Sequence, residues 1–302
     1  VKNLKINPIA FDSMGVRSMC TQVITKDVNI LIDPGVSLAP SRFRLPPHPI
    51  ELKRMDSDWE KILKLSKEAD VLIITHYHFD HFSWETPTQF KDKILLIKHP
   101  TENINFSQKK RAAYFLKQIE GLPKKVEYAD GREFEFGGTR IKLSKAVYHG
   151  ISPKLGYVLE VLIDDGEYKF IHTSDVEGPT QADQVKFILE NKPNLVFLDG
   201  PLSYMLYRFG RENLRKSVEN MVKIIEKCPL EALVIDHHFL RDLKWKEKIQ
   251  KVFEAAKKKR IKVQCIAEYL NKPIEMLEAR RKELYEKYPD MKYKSKRKVF
   301  EE

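Results

Sequence analysis

Thr75-His76-Tyr77-His78-Phe79-Asp80-His81 packs three of the chain's nine histidines and one carboxylate into six residues. Neutral imidazole and carboxylate are the donors that zinc and similar divalent ions take. The apolar run Val71-Leu72-Ile73-Ile74 precedes them and reads as a buried strand. The ligand-type residues therefore begin where a strand ends, on a rigid support. In an extended segment His76, His78 and Asp80 share one side and His81 turns away, which suits two neighbouring metals better than one. A loop holding four such groups without a metal would crowd protonated rings together and bury polar atoms to no gain.

This His-x-His-x-Asp-His run after an apolar strand resembles the signature of the metallo-β-lactamase superfamily. Other residues of that pattern follow in order, each at the end of a strand-like run. Asp33 ends Ile30-Leu31-Ile32, and His149 follows Ala146-Val147-Tyr148. Asp175 comes after Tyr168-Lys169-Phe170-Ile171, and His237 after Leu233-Val234-Ile235-Asp236. The match spans about residues 1 to 240. Met14-Gly15-Val16-Arg17-Ser18 and Asp236-His237-His238-Phe239-Leu240-Arg241-Asp242 resemble an archaeal branch of the superfamily, for which the resemblance names no substrate.

The resemblance implies one metal site of His76, His78 and His149, a second of Asp80, His81 and His237, and Asp175 bridging both. Asp33 would orient ligands by hydrogen bonding rather than bind metal. The cofactors expected are two divalent ions, zinc first, with manganese or iron as alternatives. Two such ions about 3.5–4 Å apart need an anion between them, and a shared water loses its proton near neutral pH. That metal-bridging hydroxide is the expected nucleophile, with Asp80, Asp33 and His238 as the catalytic side chains. Neighbours on a strand point oppositely, so one of His237 and His238 reaches a metal. His237 is the expected ligand and His238 the expected proton donor. His172 reads as a core histidine, and His48 and His99 lack partners at ligand spacing.

The elements that position these residues are strand-like runs near 4–6, 21–24, 30–32, 71–74 and 94–97, then 133–136, 140–147, 157–163 and 168–171. Helix and strand alternate afterwards. Helices are expected over 58–67, 107–120, 180–190, 211–227, 244–258 and 273–288, with strands at 195–198, 232–235 and 261–266. Strands grouped centrally with helices outside predict two packed sheets. The resemblance makes this a four-layer αββα sandwich. One domain over 1–302 is expected, with a helical extension and basic tail from about 270. The proline-rich loop 33–49 and the aromatic segment 204–209, with Arg208 as an anion contact, are the candidate substrate walls.

Net charge is +11, and charged residues make up 32%. That composition fits a protein of hot environments. Basic runs fall late, at 257–260, 280–282 and 292–298. They read as solvated helix faces and a tail, so residues after Pro289 are expected to be dispensable. The three cysteines are scattered and no apolar run spans a membrane, which fits a reducing cytoplasm. The leading reading is a dinuclear metal hydrolase of a small ester, lactone or phosphoester, anionic substrates included. The alternatives are a nuclease of the same fold and a metal-binding protein without hydrolysis. Against the nuclease, Asp175 and His237 lie only 62 residues apart, too close for an inserted nucleic-acid domain. Oligomeric state is not legible.

Overall fold

The computed structural model describes residues 4–300. The first sheet runs in sequence order: β1 (Lys5–Phe11), β2 (Met19–Ile24), β3 (Asn29–Ile32), β4 (Val71–Ile74), β5 (Ile94–Ile97) and β6 (Lys125–Tyr128). Strands β1 to β3 pair antiparallel and β3 to β6 parallel. Then come β7 (Glu133–Phe136), β8 (Thr139–Leu143), β9 (Val147–Tyr148), β10 (Tyr157–Val158), β11 (Val161–Asp164), β12 (Lys169–His172), β13 (Leu195–Asp199), β14 (Ala232–Asp236) and β15 (Lys262–Gln264). The second sheet has the order β15-β14-β13-β12-β11-β8-β7, parallel from β12 to β15, while β9 and β10 form a separate ribbon.

Side-chain alternation builds the layers. Ile30, Ile32 and Ile73 turn inward and meet Ile141, Val161, Ile163, Phe170, Phe197 and Val234 of the second sheet. Their neighbours Leu31, Leu72 and Ile74 turn outward, where Met55, Ile62 and Phe115 from helices Pro49–Glu68 and Phe106–Gln118 cover them. On the other outer face Leu162, Ile171, Val196 and Leu233 lie under Ile188, Met221, Ile225 and Val252 from three more helices. The result is the four-layer αββα sandwich.

Several elements depart from expectation. The first helix starts at Pro49, not 58, because the His48 side chain accepts from Ile50 N while Glu51 Oε2 accepts from His48 N. This shortens the proline-rich loop and gives His48 a structural task. β6, with its largely exposed Lys-Val-Glu-Tyr run, carried no apolar signal. The helix expected over 273–288 shrinks to Arg281–Lys287. Before it Glu275 pairs with Arg54, and Glu278 takes Arg17 at 2.7 Å. Those tertiary pairs, and the bond from Glu275 N to Ser13 O, outweigh local helix preference.

The run 257–260 is exposed as expected, but the other two basic runs are not simple solvated surfaces. Arg281 is fully buried, donating to both oxygens of Glu51 and to two backbone carbonyls. The tail is strapped down. Tyr293 and Ser295 hydroxyls donate to Asp56 at 2.8 and 2.7 Å. Arg297 pairs with Glu85 at 2.7 Å and lies 4.1 Å over the Trp59 ring. Phe300 stacks on Phe79 with ring centroids 4.6 Å apart, and Phe79 sits between His78 and Asp80. A hydrophobic anchor and a buried Arg fix what charge alone would have left loose. Deleting residues 291–302 should therefore cost about 2 kcal/mol and lower the melting midpoint by a few degrees. Calorimetry checks this, and an unchanged midpoint would show that the strap contributes nothing in solution.

Candidate metal centre

Every residue of the centre comes from a strand end or the turn after it. Asp33 follows β3, the His76-to-His81 loop follows β4, Asp175 follows β12, Asp199 ends β13, and His237 follows β14. These strands run parallel within each sheet, so their carboxyl ends meet along one edge of the sandwich. The loop after β4 is not extended. His81 N donates to His78 O at 3.0 Å, a turn that brings His81 back against His76, ring centroids 4.2 Å apart. Gly35 permits this. A Cβ there would lie 2.3 Å from Phe82 N and 2.5 Å from His81 C, so only glycine lets the Asp33 loop touch the ligand loop.

Two groups of donor atoms result, His76, His78, His149 and Asp175 in one, and Asp80, His81, Asp175 and His237 in the other. Within each group the atoms lie within 4.8 Å of one another, and all seven residues are buried. Asp175 belongs to both. Its Oδ2 lies 3.2 Å from His149 Nε2 and 3.5 Å from His76 Nε2. Its Oδ1 lies 2.9 Å from His81 Nε2 and 3.2 Å from His237 Nε2. All seven residues expected as ligands thus come together.

His237 and His238 do not alternate. The strand stops at Asp236 and a 3-10 turn, His237–Arg241, begins, so both rings stay at the centre with centroids 4.5 Å apart. His237 Nε2 points to Asp175 and Asp80, whereas His238 Nδ1 sits 3.0 Å from Asp199. Asp175, Asp199 and His238 form a third, smaller donor group. His172 Nε2 donates to Met19 O at 2.9 Å and stays in the core.

Carboxylates face the far nitrogens of three of these rings. His81 Nδ1 bonds Asp33 Oδ2 at 2.8 Å, and Asp33 also accepts from Thr75 N and Thr75 Oγ1. His237 Nδ1 bonds Asp12 Oδ2 at 2.7 Å, while Arg241 Nε donates to Asp12 Oδ1 at 2.8 Å. His149 Nδ1 lies 3.4 Å from Glu177 Oε1. Such outer carboxylates fix ring orientation and raise ligand basicity. Asp12, Glu177, Asp199 and Arg241 were not read from the sequence as site residues. Asp199 carried a usable signal, since it closes an apolar run as Asp33 does. Arg241 stood in the quoted closing segment four residues after His237. Asp12 and Glu177 carried none.

Electrostatics follow from this packing. Burial pushes the His81 imidazole down, but Asp175, Asp80 and Asp33 outweigh it and hold the ring well above its ordinary pKa. His149 is driven up to about 10, because Asp175 and Glu177 outweigh its burial. His76 goes the other way, lowered well below normal by burial and by the neighbouring His81 charge. Burial would raise Asp175, yet the imidazoles of His81, His237 and His76 keep its carboxyl well below the usual range.

Residues 15–224 match the metallo-beta-lactamase superfamily. The chain belongs to that superfamily. A UPF0282 protein of Korarchaeum cryptofilum is 52% identical over 288 residues, covering 95% of this chain and 96% of that one. A UPF0282 protein of Metallosphaera sedula is 49% identical over 287 residues, 93% of each. Among solved structures, the metallo-beta-lactamase fold protein YhfI of Bacillus subtilis shares the fold at 14% identity and a TM-score of 0.52, covering 87% of this chain and 94% of that one.

The donor set itself fits a metal pair of the superfamily's kind. His76 Nε2, His81 Nε2, His149 Nε2 and Asp175 Oδ1 are buried without a hydrogen-bond partner, although each nitrogen lies 2.9–3.5 Å from one of the two Asp175 oxygens. Lone pairs that crowd together without bonding each other are aimed at a common third party. Buried polar atoms left this way cost about 1–3 kcal/mol each, which a cation removes. Asp12→Asn and Asp33→Asn should each weaken zinc affinity about 10–100-fold while the protein stays folded. His237→Ala should lose one metal equivalent, and His238→Ala should keep both. Competitive zinc titration with circular dichroism reads these outcomes. Unchanged affinity in both Asn variants would remove the orienting role.

Proposed function

We propose that the protein is a dinuclear metal-dependent hydrolase acting on a small ester, lactone or phosphoester. The observation that carries this reading is the split allegiance of Asp175, one oxygen toward each donor group. Bound divalent ions, zinc first, would supply Lewis acidity and lower the pKa of a coordinated water.

The chain's own residues do the rest. His76, His78 and His149 on one side, and Asp80, His81 and His237 on the other, would hold the ions, with Asp175 common to both donor groups. Asp33 and Asp12 fix Nδ1 of His81 and His237, and Glu177 faces Nδ1 of His149, so that each Nε2 faces inward. Arg241 Nη2 lies 3.3 Å from His237 Nε2 and 4.0 Å from Asp80 Oδ2, a fixed positive charge beside the centre. Asp199 holds Nδ1 of His238, leaving Nε2 as the atom that can exchange a proton at a leaving oxygen. Near-complete burial of the cluster excludes bulk water. No residue is needed as a covalent nucleophile. The three cysteines are buried, and the Cys20 and Cys265 thiols are pushed up by burial, Cys265 to about 12.

Protein purified without chelator should carry close to two metal equivalents. It should cleave at least one of a phosphodiester, a neutral ester and a lactone. Asp80→Ala and His81→Ala should each lose metal and all turnover while keeping native circular dichroism. A stable single equivalent that added zinc does not raise would reject the dinuclear site. Full loading with no cleavage of any of the three would reject the hydrolase, and metal-dependent cleavage of RNA or DNA alone would put a nuclease in its place.

A further inference from the structure

A cavity of about 200 Å³ opens on the His149 side of the centre. Its lining includes His149, Glu177, Ser152, Lys154, Arg208 and Phe209. Two unconnected segments supply the two cations, and both segments are anchored. The turn Pro153–Leu155 carries Lys154. It is tied down by Asn105 Nδ2 donating to Lys154 O at 3.1 Å and Gln108 Nε2 donating to Leu155 O at 2.7 Å. The same Gln108 nitrogen lies 3.4 Å from His78 Nε2, so this turn is positioned against the metal centre itself. Arg208 lies in the short helix Leu206–Phe209, pinned by buried Phe209, whose carbonyl accepts from Asn213 at 2.6 Å.

Lys154 and Arg208 are exposed, and neither side chain makes an ion pair or hydrogen bond among the described residues. That sets them apart from Arg17, Arg54, Arg241, Arg281 and Arg297, each paired to a carboxylate. Glu177 is the one carboxylate lining the cavity, and it is turned toward the histidines, 3.4 Å from His149 Nδ1 and 3.9 Å from His238 Nε2. Gly150 makes room for it. Its φ is +74°, and a Cβ there would sit 2.4 Å from Glu177 Oε2. The acid is therefore engaged by the centre, and two unopposed cations remain beside it.

We propose that this cavity is an oxyanion subsite, in which Lys154 and Arg208 hold a charged oxygen of a small phosphodiester beside the bond to be cleaved. The proposal rests on the hydrolase reading above and narrows its substrate. Arg208 offers a planar fork matched to phosphoryl oxygens, and Lys154 adds a compact charge. A neutral ester or lactone would leave both cations without a partner. The volume falls below the roughly 300–1,000 Å³ of pockets for larger ligands, so the cavity takes a phosphoryl headgroup rather than a polymer. Hydrolysis adds one water across one P–O bond. It yields a phosphomonoester and an alcohol, which leaves with one of the water's protons.

The test uses the zinc-loaded full chain with Lys154→Ala, Arg208→Ala, and the conservative variants Lys154→Arg and Arg208→Lys. Bis(4-nitrophenyl) phosphate and 4-nitrophenyl acetate are the anionic and neutral substrates, and calorimetry with inorganic phosphate gives a readout independent of turnover. Each alanine variant should raise KM for the phosphodiester, relative to that for the acetate, about tenfold, the size of one charge-assisted contact. Phosphate affinity should fall by a similar factor at unchanged zinc content, and the conservative variants should recover most of both. If wild type cleaves the phosphodiester but the KM ratio and phosphate affinity do not move in either alanine variant, the subsite is wrong and the hydrolase reading stands. If loaded wild type cleaves neither substrate, yet phosphate binding is lost in both variants, the hydrolase reading falls and the anion site stands.

Discussion

Asp175 is the group that both halves of the sandwich must reach. It is about 1% exposed, and four imidazole nitrogens surround its two oxygens at 2.9–3.5 Å. Two of those rings come from the loop after β4 in the first sheet. The carboxylate itself and His237 come from the second. Burying an unpaired carboxylate is prohibitively costly, and burying several histidines beside it is tolerable only while opposite charges face each other. The arrangement is thus a lock on sheet-to-sheet registry as well as a donor set. Slipping β4 or β12 by one residue against its neighbours would turn the side chains at its end to the opposite face.

Backbone strain collects at the same place. Asp33, Ser174, Glu177 and His237 all hold left-handed φ values, between 49° and 58°. Such conformations in non-glycine residues cost of order 1 kcal/mol or more each and persist only where the surroundings over-determine them. Here the surroundings can be named. Asp33 is fixed by Thr75 and His81, Ser174 by Thr75, and His237 by Asp12 and Asp236. The apolar layers on either side hold these turns in place, because each begins within a residue or two of a buried strand end.

This explains which parts were readable. The strands around the centre carry unbroken apolar runs, and the ligands stand directly behind them, so β3, β4, β12, β13 and β14 announce both themselves and the residues they deliver. Parallel strands buried on both faces leave little room for ambiguity. Reading failed where three-dimensional partners decided the outcome. The segment before Arg281 has helical composition, yet Glu275 and Glu278 serve arginines more than 200 residues away. His237 and His238 were judged by strand alternation, but the strand had already ended. Asp12 lies just after β1 and acquires its task only when His237 and Arg241 arrive from the far end of the chain.

Charge illustrates the same point most sharply. A surplus of +11 invites a nucleic-acid reading, but most of the arginines around the centre, Arg208 apart, are occupied internally. Arg17 and Arg42 meet Glu278, Arg54 meets Glu275, Arg281 meets Glu51, and Arg241 meets Asp12. Each pair joins the first 60 residues to the last 65 or so, and together they fasten the proline-rich loop and the 3-10 turn of His237 to one another. Burying the guanidinium of Arg281 against Glu51 adds little net stability by itself, but removing either partner would strand the other. Such pairs therefore specify geometry rather than supply affinity for a polyanion. The late surface lysines that remain, at 257–259, end the helix Gln250–Lys259, which packs against the outer face of the second sheet. Net charge is a sum over the chain, while recognition depends on which cations are left unpaired and on what lies within their reach.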